Sequence, residues 1–129
     1  MPTALYHFTC RHGARAIQRS KQLRPNHHPL LGTALVWLTD LPDPDRWGLG
    51  LTSNWITCDR TAMRVCVPVT AGIVRWRAWA LWHQVPRVLA EALEDDGRPD
   101  HWWVAEVPLS VSTITDANAP ALRTGGARG

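Results

Sequence analysis

The segment Ala4-Leu5-Tyr6-His7-Phe8-Thr9, near the start of the chain, decides how the rest of the sequence is interpreted. Its side chains alternate in character and include Tyr, Phe and Thr, which is typical of a β-strand. The residues after it, 10–13, predict a turn. The imidazole of His7 lies inside this apolar run. Because a buried imidazole without a partner loses its hydration without replacement, the pattern predicts a hydrogen-bond partner for His7, on the protein or on a ligand.

Outward from this strand, a short helix is predicted over residues 14–20, with Ala14 and Ile17 on its inner face. Residues 26–29, Asn-His-His-Pro, predict a loop. A second strand is predicted over residues 33–38, between a glycine and an Asp/Pro-rich segment.

The second half of the chain predicts further strands and one clear helix. Residues 61–69 alternate as a half-buried strand does, with Pro68 at a sheet edge or strand end. Residues 72–80 fit a strand and a helix equally well. A helix is predicted between Pro86 and Gly97, and residues 101–107 predict the last clear strand.

The chain has 129 residues, which is the length of one ordinary domain. We expect a single domain over residues 1–115 and a flexible tail over residues 116–129, where few side chains can be buried. No apolar run approaches the roughly 18 residues that cross a bilayer, so no membrane partner is expected. The N-terminal residues lack the pattern of a secretory signal, and three cysteines without CxxC spacing are typical of reduced thiols. These features predict a cytoplasmic protein.

The net charge of +3 and the pI near 9.1 favour an anionic partner only weakly, because the basic residues are dispersed along the sequence. Eight tryptophans against one Phe and one Tyr are unusual. Their indole rings suit a packed core and also the stacking of a flat ligand.

Three features follow His7 in a set order. Trp37-Leu38-Thr39-Asp40 ends the second strand, Trp47 lies in a short segment that predicts a helix, and Glu106 lies between apolar neighbours in the late strand. In this order the chain, over residues 4–110, resembles the ADP-ribosyltransferase fold superfamily. That superfamily includes diphtheria-toxin-like transferases, poly(ADP-ribose) polymerases, DNA-modifying DarT toxins and RNA 2′-phosphotransferases.

The resemblance implies an α+β fold with a split mixed or antiparallel β-sheet, short flanking helices and an NAD cleft between the two halves of the sheet. It implies an NAD-dependent ADP-ribosyltransferase that transfers ADP-ribose to a macromolecular acceptor and releases nicotinamide. NAD glycohydrolysis is implied as a side activity. A nucleic-acid acceptor, DNA or RNA, is preferred over protein. A toxin or phage-effector setting and a monomeric state are expected.

The resemblance also implies roles for individual residues. His7 contacts a ribose hydroxyl of NAD, and Thr9 and Thr39 belong to the same binding site. Trp37 and Trp47 frame or stack the nicotinamide, where the family usually has Tyr; stacking requires only an aromatic face.

Glu106 is the expected catalytic anion, with His7 as the second catalytic residue. Positive charge develops on the ribose carbon as nicotinamide leaves, and a preorganised carboxylate stabilises it. Arg60 is expected at the NAD pyrophosphate, because a guanidinium matches phosphate oxygens, and Asp40 is expected to orient the acceptor. Taken singly, His7 also fits a core histidine bonded to backbone, Glu106 a solvated strand position and Arg60 a surface turn.

Three alternatives stay open. Zinc binding is disfavoured because the Cys and His spacings match no standard site, and no metal is predicted. A non-enzymatic nucleic-acid-binding module would use the arginines and tryptophans. An RNA 2′-phosphotransferase on the same fold would rely on Arg and His contacts to phosphate and would not need Glu106.

Overall fold

A computed structural model describes residues 2–42, 62–95 and 97–117. Within these ranges the chain forms nine strands, three α-helices and one 3-10 helix. The strands are β1 (Ala4–Thr9), β2 (Gln22–Leu23), β3 (Asn26–His28), β4 (Thr33–Thr39), β5 (Met63–Pro68), β6 (Ile73–Arg75), β7 (Trp102–Ala105), β8 (Leu109–Ser110) and β9 (Thr113–Asp116). The helices are α1 (Arg11–Ser20), α2 (Trp76–Trp82) and α3 (Arg87–Glu94), and the 3-10 helix is Pro99–His101.

The main sheet has the strand order β6-β7-β4-β1-β5-β9, with β3 beside β4, while β2 and β8 form a separate pair. Every pairing among the described strands is antiparallel. The chain is therefore a mixed α and β structure with an antiparallel sheet, as the sequence predicts at this level. None of the helices in the described ranges is long and apolar enough to cross a bilayer.

The two central strands, β1 and β4, are paired over a very short stretch. Their only paired position is Tyr6 opposite Thr39, whereas β1 and β5 pair along the whole of β1, from Ala4 to Thr9. The first half of β4 pairs with β3 instead. The sheet is thus divided into one half around β4 and β7 and another around β1 and β5.

Apolar side chains cover both faces of the sheet. On one face, a cluster around Leu5, Val65 and Trp103 packs under β2 and β8. On the other face, Trp76 and Trp79 of α2 pack with the remaining apolar residues of the second cluster, which are Leu35, Trp102, Val104 and Ala80. Because β7 lies inside the sheet and is covered on both faces, all four of its residues are buried.

Helix α1 begins at Arg11, three residues before the predicted start. The Cys10 side chain is its N-cap, with Sγ accepting from the Gly13 backbone N–H at 3.4 Å. A side chain at Gly13 would place Cβ 2.4 Å from Thr9 Oγ1, so glycine lets the helix approach β1. The helix ends at Ser20, and the cap residue Lys21 adopts the left-handed conformation, with its N–H donating to the carbonyl oxygen of Ile17.

The structure corrects the predicted loop at residues 26–29. Residues Asn26–His28 form β3, because the first half of β4 is left without β1 and its backbone groups need another partner. Residues 72–80, which fit a strand and a helix equally well, form both, one after the other: β6 covers Ile73–Arg75, and α2 begins at Trp76.

The end of the chain also differs from prediction. Strand β7 ends at Ala105, and it is followed by β8 and β9, so residues 101–107 are not the last strand. The packed region extends past Thr115, since Ala117 is buried and its N–H donates to Ala62 at 2.9 Å. The predicted helix after Pro86 is confirmed as α3, and Pro68 lies at the end of β5.

Arg64 is a charged residue of β5 that faces inward, with only 3% of its surface exposed. Its Nε donates to the Pro42 carbonyl oxygen at 2.6 Å, and its Nη atoms donate to Thr115 Oγ1 and to the Ala117 carbonyl oxygen at 3.3 and 3.2 Å. A buried guanidinium is tolerated only when its donors are matched in this way. Arg64 therefore ties the end of β9 to the segment that follows β4.

Candidate functional site

The division of the sheet creates a cleft of about 720 Å³. It is lined by residues of β1, α1 and β4, by residues from the segment 22–28, and by Leu93 and Trp102. This volume lies in the range of small-molecule and cofactor sites, which is about 300–1,000 Å³. Of the residues predicted for the NAD site, His7, Thr9, Trp37 and Thr39 all line this cleft. Sequence positions separated by up to 32 residues therefore share one cavity.

The imidazole of His7 links β1 to β4. Its Nδ1 is 2.8 Å from the carbonyl oxygen of Trp37, across the point at which β1 leaves β4. A carbonyl oxygen only accepts, so Nδ1 carries the proton and donates this bond. The partner predicted for His7 is thus found within the protein, and the bond fixes both the tautomer and the orientation of the ring.

Trp37 is half-buried in a wall of aromatic rings. Its ring centroid is 5.1 Å from that of Trp76, 5.9 Å from that of Trp102 in an edge-on contact, and 6.0 Å from that of His28. These are the distances of favourable aromatic pairs. The wall therefore holds the Trp37 indole in one orientation at the cleft.

The two predicted threonines differ in their surroundings. Thr39 is 1% exposed, and its Oγ1 accepts a hydrogen bond from the Leu41 N–H at 3.2 Å. Thr9 is half-buried at the end of β1, beside Gly13. The Thr39 hydroxyl thus stabilises the turn after β4 as well as lining the cleft.

Glu106 is not brought to this cleft: it is absent from the described residues that line it. Glu106 directly follows Ala105, the last residue of β7, which lies opposite Val36 of β4. Its half-exposed carboxylate accepts from Trp79 Nε1 at 2.7 Å and lies 3.3 Å from His83 Nε2.

Asp40 is also engaged by neighbouring side chains. Its Oδ1 is 2.6 Å from His101 Nδ1, and its Oδ2 accepts from Trp103 Nε1 at 3.1 Å. The role predicted for Asp40 in orienting an acceptor would require it to share these bonds. Asp40 and His101 adjoin two residues of the cleft, Thr39 and Trp102, along the chain.

Sequence reasoning missed a common role of three carboxylates. Glu94 accepts from Trp76 Nε1 at 2.6 Å, as Glu106 does from Trp79 and Asp40 does from Trp103. A buried indole N–H needs an acceptor, so eight tryptophans in a short chain were a signal that some carboxylates serve the core. The apolar neighbours of Glu106 are explained by this packing role.

The cleft is electrostatically one-sided. Its described lining residues include His7, Arg24, His27 and His28 but no Asp or Glu. Burial lowers the pKa of His28 from the ordinary value of 6.5, and the neighbouring charge of His27 lowers this pKa further. The arrangement is suited to an anionic ligand, because Arg24 is a cation in this lining and no described carboxylate opposes it.

Trp47 and Arg60, the other two predicted NAD contacts, lie outside the described residues. Among the described residues, no group of three or more His, Cys, Asp or Glu side chains is arranged to hold a metal ion. Comparison of the chain with protein-family models, with curated proteins and with solved structures gave no match.

Proposed function

We propose that the chain is an NAD-dependent ADP-ribosyltransferase and that NAD binds in the cleft between the two halves of the sheet. The observation that carries this proposal is the convergence of His7, Thr9, Trp37 and Thr39 on one cavity. These four residues are among those that the resemblance assigns to the NAD site.

The architecture supports the same proposal. The resemblance implies a split sheet with its ligand cleft between the halves, and the central strands β1 and β4 do separate after one paired position, with the cleft at that point. We therefore assign the α+β domain to the ADP-ribosyltransferase fold as part of the proposal.

In the proposed reaction, the bond between C1′ of the ribose and the nicotinamide nitrogen breaks, and nicotinamide leaves with the bonding electrons. A nucleophilic atom of the acceptor forms the new bond to C1′ and releases its proton to water, and the nicotinamide leaves as a neutral molecule. The indole of Trp37 offers a flat face for the nicotinamide, and His7 and Thr39 hold the ribose. The orientation of His7 is set in advance by its bond to Trp37.

The proposal gives Glu106 the anionic role that the resemblance implies. In the described structure its carboxylate is bonded to Trp79 outside the cleft, so this role requires the carboxylate to exchange that partner for the ribose. The pair Glu106→Gln and Glu106→Ala tests this, because glutamine keeps an oxygen for the indole N–H and removes only the charge.

The decisive experiment is to incubate the purified chain with NAD and to measure nicotinamide release, alone and with DNA, RNA or protein extract. We expect release, and transfer of labelled ADP-ribose to one of these fractions. His7→Ala is expected to abolish it, whereas His12→Ala, an exposed histidine on α1, should leave it unchanged. The absence of nicotinamide release with every acceptor would contradict the proposal.

One observation favours a second candidate, an RNA 2′-phosphotransferase on the same fold. The described lining of the cleft contains Arg24, His27 and His28 and no carboxylate, which suits a phosphate better than a developing cation. The test is an RNA oligonucleotide with one internal 2′-phosphate. Loss of that phosphate in the presence of NAD, undiminished in Glu106→Gln, would establish this candidate over the first.

A further inference from the structure

A second cavity, of about 360 Å³, lies on the other side of α1 from the cleft. Because successive helical residues are about 100° apart, the two sides of α1 carry different residues. The cleft side is Gly13, Ala16 and Ser20, and the side of the second cavity is Arg11, Ala14, Arg15 and Gln18. The volume lies within the range of small-molecule sites, which is about 300–1,000 Å³. The second cavity is therefore a separate place where a small molecule can bind.

The second cavity has a strong positive charge. Three cationic side chains line it, those of Arg11, Arg15 and Lys21, and its described lining contains no Asp or Glu. One carboxylate lies nearby, that of Asp116, which is 3.2 Å from Arg11. Three cations and one carboxylate give these groups a formal charge of +2.

Two of these cations are not neutralised. Arg15 and Lys21 are exposed, and their side chains make no ion pair or hydrogen bond within the part of the chain that the structure describes. Arg11 and Arg15 are also four residues apart on α1, and like charges at this spacing repel each other. An anion in the second cavity would meet two unpaired cations and would reduce this repulsion.

The backbone fixes Lys21 next to the segment that lines the far side of the second cavity. The Lys21 carbonyl oxygen accepts from the Val111 N–H at 3.1 Å. The next residue, Ser112, donates from both its N–H and its hydroxyl to the carbonyl oxygen of Cys66, each at 2.9 Å. Thr113 follows, and its exposed side chain brings to the lining a hydroxyl that can donate to an anion.

The remaining lining of the second cavity is mostly apolar. It consists of buried or half-buried side chains, which are Ala14, Ile17, Met63, Val111 and Ile114. Contact with apolar surface stabilises an apolar group but not a hydrated inorganic ion. The second cavity therefore suits an organic anion that has an apolar portion.

We propose that the second cavity binds a small molecule that carries a phosphate monoester group and an apolar portion. A phosphate monoester has a charge of about −1.5 to −2 at pH 7, which matches the +2 of the cavity. The guanidinium of Arg15 matches a pair of phosphate oxygens, and the ammonium of Lys21 adds a point charge. The inference involves neither NAD nor the cleft and does not rest on the proposed function.

The test titrates phenyl phosphate into the protein without NAD, at constant ionic strength. Backbone amide signals in NMR spectra show where it binds, and calorimetry gives its affinity. We expect saturable shifts of the signals of Gln18, Ser112 and Thr113, which line the second cavity. Inorganic phosphate lacks the apolar portion and benzoate lacks the second negative charge, so each should bind on the order of tenfold more weakly.

Two charge-removing variants distinguish the second cavity from the rest of the surface. Arg15→Gln should weaken the binding of phenyl phosphate on the order of tenfold, and Arg15→Gln combined with Lys21→Gln on the order of a hundredfold. The matched control is Arg19→Gln combined with Arg87→Gln. It also removes two exposed arginine or lysine charges, but neither residue lines the second cavity, so the affinity should stay unchanged.

Four results would overturn the inference. The first is the absence of saturable shifts at millimolar phenyl phosphate, and the second is an equal loss of affinity in the two double variants. The third is that benzoate or inorganic phosphate binds as tightly as phenyl phosphate. The fourth is binding that is lost in Arg24→Gln but kept without Arg15 and Lys21, which would place the anion in the cleft. Nicotinamide release is not measured, so this inference and the transferase proposal can fail separately.

Discussion

The imidazole of His7 donates a hydrogen bond to the carbonyl oxygen of Trp37, 2.8 Å away, where the two central strands of the sheet separate. Beyond Tyr6 and Thr39 the strands no longer pair, so the ring takes the place of a backbone ladder bond. One polar side chain in an apolar strand thus marks the boundary between the halves of the sheet and forms part of the cleft between them.

We expect His7→Phe to lower the free energy of unfolding by about 1 kcal/mol, because the ring is kept but the hydrogen bond to Trp37 is lost. Urea denaturation measures this. His12→Phe, at an exposed position of α1, is the control and should change stability little. If the two variants unfold at the same urea concentration, the bond across the gap does not contribute to folding.

Substitutions of Glu106 separate packing from chemistry. Glu106→Ala should lower the free energy of unfolding by about 1 kcal/mol, because the Trp79 N–H loses its acceptor, whereas Glu106→Gln should unfold like the natural chain. Under the transferase proposal, Glu106→Gln should still lower kcat for nicotinamide release by about 10²–10³-fold with little change in KM. An unchanged kcat would remove Glu106 from the reaction.

Helix α3 has two carboxylates in different surroundings, Glu94 and Glu91. The Oε2 of Glu94 accepts from the indole N–H of Trp76, a side chain with no exposed surface, whereas Glu91 is exposed and its partner among the described residues is Arg87. We expect Glu94→Ala to lower the free energy of unfolding by about 1–3 kcal/mol and Glu91→Ala by no more than about 0.5 kcal/mol. Thermal unfolding of the two variants measures the difference. Equal effects would contradict the role of Glu94 as a core acceptor.

Burial, and then the charge of His27, lowers the pKa of His28 below 6.5. The unfolded chain therefore binds more protons than the folded chain just below pH 6.5, so this residue lowers stability as the pH falls from 6.5 through its folded-state pKa. Replacing His28 with Asn should reduce the loss of stability over that interval. The measurement is urea denaturation at several pH values, and an unaltered pH dependence would contradict it.

The pKa of His28 also depends on the charge of His27. We expect His27→Asn to raise the pKa of His28, but not fully to 6.5, because the contribution of burial remains. Titration of the imidazole Cε1 proton by NMR measures the change. A constant or lower pKa in the variant would show that the charge of His27 does not act on His28.

Several features of the fold were accessible from local patterns. The alternation of residues 4–9 and 33–38 and the proline before residue 87 predicted β1, β4 and α3, since alternation and helix starts depend on near neighbours in sequence. Residues 26–28 were missed because their strand state depends on β4, which β1 leaves unpaired. Residues 72–80 were ambiguous because they change from strand to helix at Arg75.

By itself the sequence determined that this chain has short strands and helices and that His7 needs a hydrogen-bond partner. It also determined that residues 1–39 contain no acidic side chain. Composition and periodicity are properties of the linear chain. Only the tertiary structure decided that His7 finds its partner on Trp37 and that Glu106 lies beside Trp79 outside the cleft. It also decided that His7 and Arg24 line the same cavity. Strand direction and register are set by pairing between distant segments, and a local pattern contains neither.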